Sequence, residues 1–208
     1  MIWNDHHLYS GSHAFLSASK YSWLNYDKER LVNAFFSHQA VARGTKLHEV
    51  CANLIDMRQK LPKSHAATKL LMTYEIGYHA DLSNELLDTL TAYVNDAIGF
   101  KMDSEVMLFY SSNCFGTADA ISYNDKKLRI HDLKTGSMPA HIEQLEIYAA
   151  LFCLEYDKKP GEIDMELRIY QGGNIASLEP EADDILPIMD KIIQFDKYID
   201  NVKKSEGI

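Results

Sequence analysis

Residues 116–134 read GTADAISYNDKKLRIHDLK. The stretch predicts two antiparallel strands joined by the polar turn Asn124-Asp125-Lys126-Lys127. Asp119 falls on the first strand, and Asp132 and Lys134 on the second. Side chains alternate across a strand, so Asp132 and Lys134 share a face while Leu133 points into the other layer. If Asp119 lies near Asp132 in register, their carboxylates meet, and two facing carboxylates repel unless a cation sits between them. Oxygen ligands of this kind suit Mg²⁺ or Mn²⁺. Such an ion can activate water against a phosphodiester, with Lys134 stabilising the charge that develops. The same three residues also fit a surface salt-bridge ladder. Two features favour the cation site. Asp119 sits among small residues, Gly116-Thr117-Ala118, which would let a substrate backbone approach. Asp132 follows the apolar run Leu128-Arg129-Ile130, where an unpaired carboxylate is costly.

Working outward, short strand-like runs extend the meander over 104–135, and 140–156 returns to helical periodicity with Leu145, Tyr148, Ala149 and Phe152. IDMELRIYQ and NIASLEP, after the turn at Pro160-Gly161, predict two more strands. A C-terminal amphipathic helix follows, with Ile185, Met189, Ile192, Phe195, Ile199 and Val202 on one face. Upstream, the pattern predicts helices over 17–36 and 40–56, a third over 65–78 with Leu70, Leu71 and Tyr74 inward, and a fourth from Asn84 with Leu87, Leu90, Val94 and Ile98. The expected fold is α+β, or mixed α/β, in one domain over 1–208: helical to about 100, a sheet core over 101–178 and a terminal helix over 179–208.

The formal charge of −9 argues against non-specific coating of nucleic acid. It is uneven, however, with seven acids in 179–200, so an acidic far side and a local basic groove can coexist. Three widely spaced cysteines without a CxxC pair fit buried thiols in a reducing cytoplasm. No apolar run approaches the roughly 20 residues that span a bilayer, and the first residues lack a secretory pattern.

Together these motifs resemble the PD-(D/E)XK nuclease superfamily. Asp119 matches the lone acid of its second motif, and Asp132-Leu133-Lys134 its D/E-x-K motif. Gln144-Leu145-Glu146-Ile147-Tyr148 matches the Q-x-x-x-Y motif of the RecB-type exonuclease branch. Gly44-Thr45-Lys46-Leu47-His48 matches that branch's G-x-x-x-H helix, and SASKYSWLN at 17–25 is similar to its serine-rich N-terminal segment. The resemblance implies a restriction-endonuclease-like core with a mixed sheet of about five strands flanked by helices. It implies Mg²⁺ or Mn²⁺ held by His48, Asp119, Asp132 and the Leu133 carbonyl, with Lys134, Gln144 and Tyr148 completing the catalytic set. Gln144 and Tyr148, at i and i+4, share a helix face and can reach a nucleic-acid backbone or Lys134. Glu105 resembles an acid often found on the preceding strand; it reads as a second-shell or second-metal group, or equally as an exposed strand-end acid. Iron–sulfur relatives place four cysteines around this core. None lies in the N-terminal segment here and none follows Cys153, so no cluster is expected.

The resemblance thus implies a DNA nuclease acting on ends or single strands in recombination, repair or phage DNA processing, in the cytoplasm of a bacterial or phage-infected cell. Lys20, Tyr21, Arg43 and Lys46 are candidate DNA contacts, or ordinary surface charge over a helical core. The other reading is a catalytically weak DNA-binding or assembly module. It would act as a homo-oligomer or with a recombination partner, and its motivation is the acidity and the apolar face of the last helix. Hydrolysis of RNA is a third reading, although no residue recognisably reads a 2′-hydroxyl.

Overall fold

The computed structural model describes residues 15–16, 18–76 and 82–206; the side chains of 17–21 lie outside the described residues. The chain forms two compact units, Met1–Thr45 and Lys46–Ile208, where the sequence suggested a single domain.

In the first unit a 3-10 helix, Ala18–Asn25, is followed by the start of α1, Lys28–Asp56. Asp27 opens α1 by accepting the Arg30 N–H at 2.8 Å, the capping role that its short side chain favours. The helix runs unbroken through 37–39, where sequence suggested a gap, and carries Gly44 in its interior. Glycine there costs a helix about 1 kcal/mol relative to alanine.

The second unit is a five-stranded mixed sheet with helices on both faces. Its elements are the end of α1, α2 (His65–Ile76), α3 (Asn84–Gly99), β1 (Asp103–Ser111), β2 (Cys114–Asn124), β3 (Lys127–Lys134), α4 (Glu143–Glu155), β4 (Asp164–Gln171), β5 (Asn174–Leu178) and α5 (Ala182–Glu206). The strand order is β1-β2-β3-β4-β5. Only β3 and β4 pair in parallel, which requires a crossover, and α4 supplies it. The β2–β3 turn is tight, with Asp125 and Lys126 both at positive φ, as a two-residue hairpin loop demands.

Each sheet face carries its own core. One gathers Leu47, Cys51 and Ile55 of α1, Met72 of α2 and Leu87, Leu90 and Val94 of α3 against Ala120, Leu133 and Tyr170. The other gathers Leu145, Ala149 and Phe152 of α4 and Ile185 of α5 against Leu108, Ala118, Ile130 and Ile169. Ser83 caps α3, its hydroxyl accepting the Leu86 N–H.

Two facial assignments change. In α2, Leu70 and Tyr74 are exposed, and Thr68 and Met72 are buried instead. In α5, the apolar stripe packs only through Ile192, and Phe195, Ile199 and Val202 are exposed. The cysteines are free thiols; Cys51 and Cys153 are buried, and Cys114 is half-buried. No described helix is long and apolar enough to cross a membrane.

His131 is fully buried on β3, with Nδ1 3.2 Å from the Tyr170 hydroxyl and Nε2 4.0 Å from Glu166 Oε1. Burial, reinforced by Arg168 and Arg129, pushes its pKa down to about 3. In the unfolded chain it titrates near 6.5, so between 6.5 and 3 the unfolded state binds the extra proton and stability falls as pH falls. From pH 7 to pH 5 this one group removes about 2 kcal/mol. Denaturant unfolding of His131→Phe at those two pH values should show a drop smaller than wild type by about that amount.

Candidate metal and catalytic site

β3 is regular. Asp132 and Lys134 point toward α4, and Lys134 Nζ stands 3.1 Å from Asp132 Oδ1 in hydrogen-bond geometry and 2.9 Å from Oδ2 without it. The same ammonium donates to Gln144 Oε1 at 3.1 Å, and Gln144 Nε2 donates to the Tyr148 hydroxyl at 3.2 Å. The i, i+4 pair on α4 therefore reaches Lys134, one of the two roles its spacing allowed. Gly116 lets this happen. A Cβ there would lie 2.8 Å from Tyr148 Cε1, so the glycine on β2 makes room for the tyrosine ring rather than for a substrate backbone.

β1 and β2 are not regular. Ala118 packs in the core under α4, whereas Ala120, two residues on, packs in the core under α1. On a regular strand both would share one face. β1 inverts at the paired step: the Ser104 hydroxyl bonds Asp56 of α1, while Val106 packs under α4. The register pairs Ser104 with Ala120 and Val106 with Ala118, which leaves Glu105 opposite Asp119 at the inversion. Glu105 carries the sign of it, a φ of 51° in mid-strand. That left-handed conformation costs a residue with a Cβ about 1–3 kcal/mol, and such strain clusters at functional sites. The β2–β3 ladder also ends here, at Ala120–His131. Beyond it the Asp119 carboxylate accepts the Leu133 N–H at 2.8 Å.

His48, on the last turns of α1, completes the group. Its Nδ1 is 3.5 Å from Asp119 Oδ2, and the ligating atoms of His48, Glu105 and Asp119 lie within 4.8 Å of one another. The Leu133 backbone also acts on His48 through a hydrogen bond. Burial is the largest influence on that histidine and lowers its pKa, which leaves a neutral ring with a lone pair to offer. Asp119 is pushed up to about 7, first by burial and then by Asp132. Burial also raises Asp132, against the opposing pull of Lys134. Asp132 Oδ2 is buried with no hydrogen-bond partner.

The charge balance is informative. Glu105, Asp119 and Asp132 bring three carboxyl groups to one step against a single ammonium, Lys134; Glu105 is exposed, and burial with the neighbouring acid holds Asp119 up at about 7. A divalent cation would favour the ionised form of these carboxyl groups and relieve their mutual repulsion. The donor set, one imidazole and hard carboxylate oxygens, is of the kind that Mn²⁺ or Mg²⁺ takes.

Of the residues named from sequence, His48, Asp119, Asp132, Leu133, Lys134, Gln144 and Tyr148 converge. The tightest three-ligand group, however, contains Glu105 and not Asp132, which is engaged with Lys134. Glu105 is exposed, as an acid near a strand end can be, and the strand inversion brings it to the same point as His48 and Asp119. Of the candidate nucleic-acid contacts, Lys46 is exposed on α1 and Arg43 belongs to the first unit. The side chains of Lys20 and Tyr21 are outside the described residues.

This fold and side-chain set occur in a chain whose residues 13–196 match the family described as "Protein of unknown function (DUF2800)". The match covers most of the chain, which therefore belongs to that family. No curated protein matches it.

The Gly116–Tyr148 approach is testable by double-mutant cycle. Gly116→Ala should destabilise the chain by about 1–3 kcal/mol, the usual cost of overpacking. In a Tyr148→Ala background the same substitution should cost less than half as much, as read by urea unfolding.

Proposed function

We propose that this chain is a divalent-cation-dependent nuclease of the PD-(D/E)XK type, close to its RecB branch. In this reading it is an exonuclease on DNA ends or single strands, working in recombination, repair or phage DNA processing in the cytoplasm. The observation that carries the reading is the convergence, at one inverted strand step, of a neutral histidine, three carboxylates and a lysine tethered to a helix. A surface salt-bridge ladder would account for Asp132 and Lys134. It would not account for a glutamate at positive φ and a half-buried histidine gathered with Asp119 beside that ion pair.

His48, Glu105 and Asp119 would hold the cation, with Asp132 and the Leu133 backbone beside them. When bound, the ion lowers the pKa of water and neutralises charge growing on the phosphate. The protein's own part is positioning. Asp119 is fixed by the Leu133 N–H, so its second oxygen is aimed without searching rotamers. Lys134 is held between Asp132 and Gln144, and its remaining proton is free to donate to a phosphoryl oxygen or to an attacking water. Tyr148 fixes the Gln144 amide by accepting from it, which leaves Oε1 to face the lysine. The Lys134–Gln144–Tyr148 chain thus orients one ammonium, as preorganised electrostatic catalysis requires.

The test is digestion of end-labelled linear duplex, single-stranded and covalently closed circular DNA with Mn²⁺ or Mg²⁺. Linear substrates should be shortened from an end and closed circles spared. Asp132→Ala combined with Lys134→Ala should lower the rate at least about a hundredfold. Gln144→Ala should lower kcat more than it raises KM, because it loosens the lysine rather than the substrate. Undiminished cleavage by the double variant contradicts the assignment of these residues. Cleavage of closed circles contradicts exonuclease action while leaving the site intact.

A further inference from the structure

We propose that Tyr93, on α3, is a positioning residue of the cation site, its hydroxyl donating to a water that bridges to the Asp119 carboxyl group. The inference rests on the cation-site reading and adds to it a residue that no sequence motif marks.

Helical spacing turns Tyr93 inward with Leu90, Val94 and Ala97. It is 2% exposed and belongs to the core that holds Leu47 and Cys51 of α1, Ala120 of β2 and Leu133 of β3. These residues frame the site from below. Leu47 precedes His48, Cys51 lies about one turn beyond it, Ala120 follows Asp119, and Leu133 follows Asp132. The Tyr93 ring meets the Tyr170 ring edge to face, with centroids 5.5 Å apart. Tyr170 in turn stands opposite Leu133 in the β3–β4 register. Asp119, Glu105 and Asp132 all act electrostatically on the Tyr93 hydroxyl, Asp119 most strongly of the three. The phenol therefore faces the same corner as His48, from the α3 side.

The two phenols of this core differ in their partners. The Tyr170 hydroxyl donates to Asp96 at 2.8 Å and lies 3.2 Å from His131 Nδ1. The Tyr93 hydroxyl has no hydrogen-bond partner among the described residues. A buried tyrosine usually finds an acceptor for its O–H, because an unmade bond there is costly. The acceptors that influence it are the site's own carboxyl groups, and none is within direct hydrogen-bond reach. A bridging water spans such a gap. Burial and the same acids keep the phenol protonated, so it stays a donor. Asp119 Oδ2 already accepts the Leu133 N–H. A water held by Tyr93 gives the carboxyl group a second fixed contact, so it meets the ion already oriented. Contacts of this kind commonly change metal affinity by about 10–100-fold.

The experiment titrates Mn²⁺ into the full chain and counts free ion by electron paramagnetic resonance. Tyr93→Phe keeps the ring and removes only the hydroxyl, and should weaken Mn²⁺ binding about tenfold. Tyr170→Phe removes an equally buried hydroxyl from the same core, and should lower the urea midpoint while leaving Mn²⁺ affinity unchanged. A crystal structure of wild type needs no variant to fold, and should show a water about 2.7–2.8 Å from the Tyr93 oxygen and in contact with Asp119. The proposal is overturned if Tyr93→Phe binds Mn²⁺ as wild type does, if Tyr170→Phe weakens binding as much, or if no water joins Tyr93 to Asp119. Wild-type binding with an indifferent Tyr93→Phe contradicts this proposal alone. A wild type that takes up no Mn²⁺ contradicts the cation site with it.

Discussion

The crowding of three carboxyl groups against one lysine at a single strand step, two of them half-buried or buried, is the constraint from which the rest of the site follows. Burial, followed by the neighbouring Asp132, pushes Asp119 up to about 7, and burial raises Asp132. Carboxylates so placed either stay protonated or acquire positive partners. Lys134 meets part of the need and is itself steered by Gln144. In the proposed reading a divalent ion meets the rest, and the donors grouped with Asp119 are a histidine whose pKa burial lowers and a glutamate at positive φ.

The fold brings these groups together by breaking its own regularity. A β-strand offers one face to each core, so groups on opposite layers do not ordinarily meet. Here β1 and β2 exchange faces at one paired step, and the β2–β3 ladder stops beside it. His48 from the α1 layer and Lys134 and Gln144 from the α4 layer then address a single point between them.

Much of this was legible in the sequence because it is local. The polar turn at Asn124–Lys127, the alternation of β3 and the i, i+4 pair on α4 are all short-range patterns, and the five strands follow from runs bounded by turn residues. The Gly116–Tyr148 approach was not legible, because it joins β2 to a helix two elements later. The positive φ of Glu105 was not legible either, because no glycine or asparagine marks it. The inward faces of α2 and of the second half of α5 failed for a related reason: Leu70, Tyr74, Phe195 and Ile199 have helical spacing, but nothing among the described residues covers them. α1 also continues through Gly44, although glycine propensity opposes it.

The central claim is that the crowded carboxyl groups at the inverted strand step bind a divalent cation. Diffraction from crystals grown with Mn²⁺, with anomalous scattering recorded at the manganese edge, tests it most directly. The account predicts one strong peak bounded by His48 Nδ1 and the carboxylates of Glu105 and Asp119, with ligand distances near the 2.0–2.2 Å usual for such donors. Well-ordered density for those three side chains with no anomalous peak among them, or with the ion elsewhere on the chain, would contradict it.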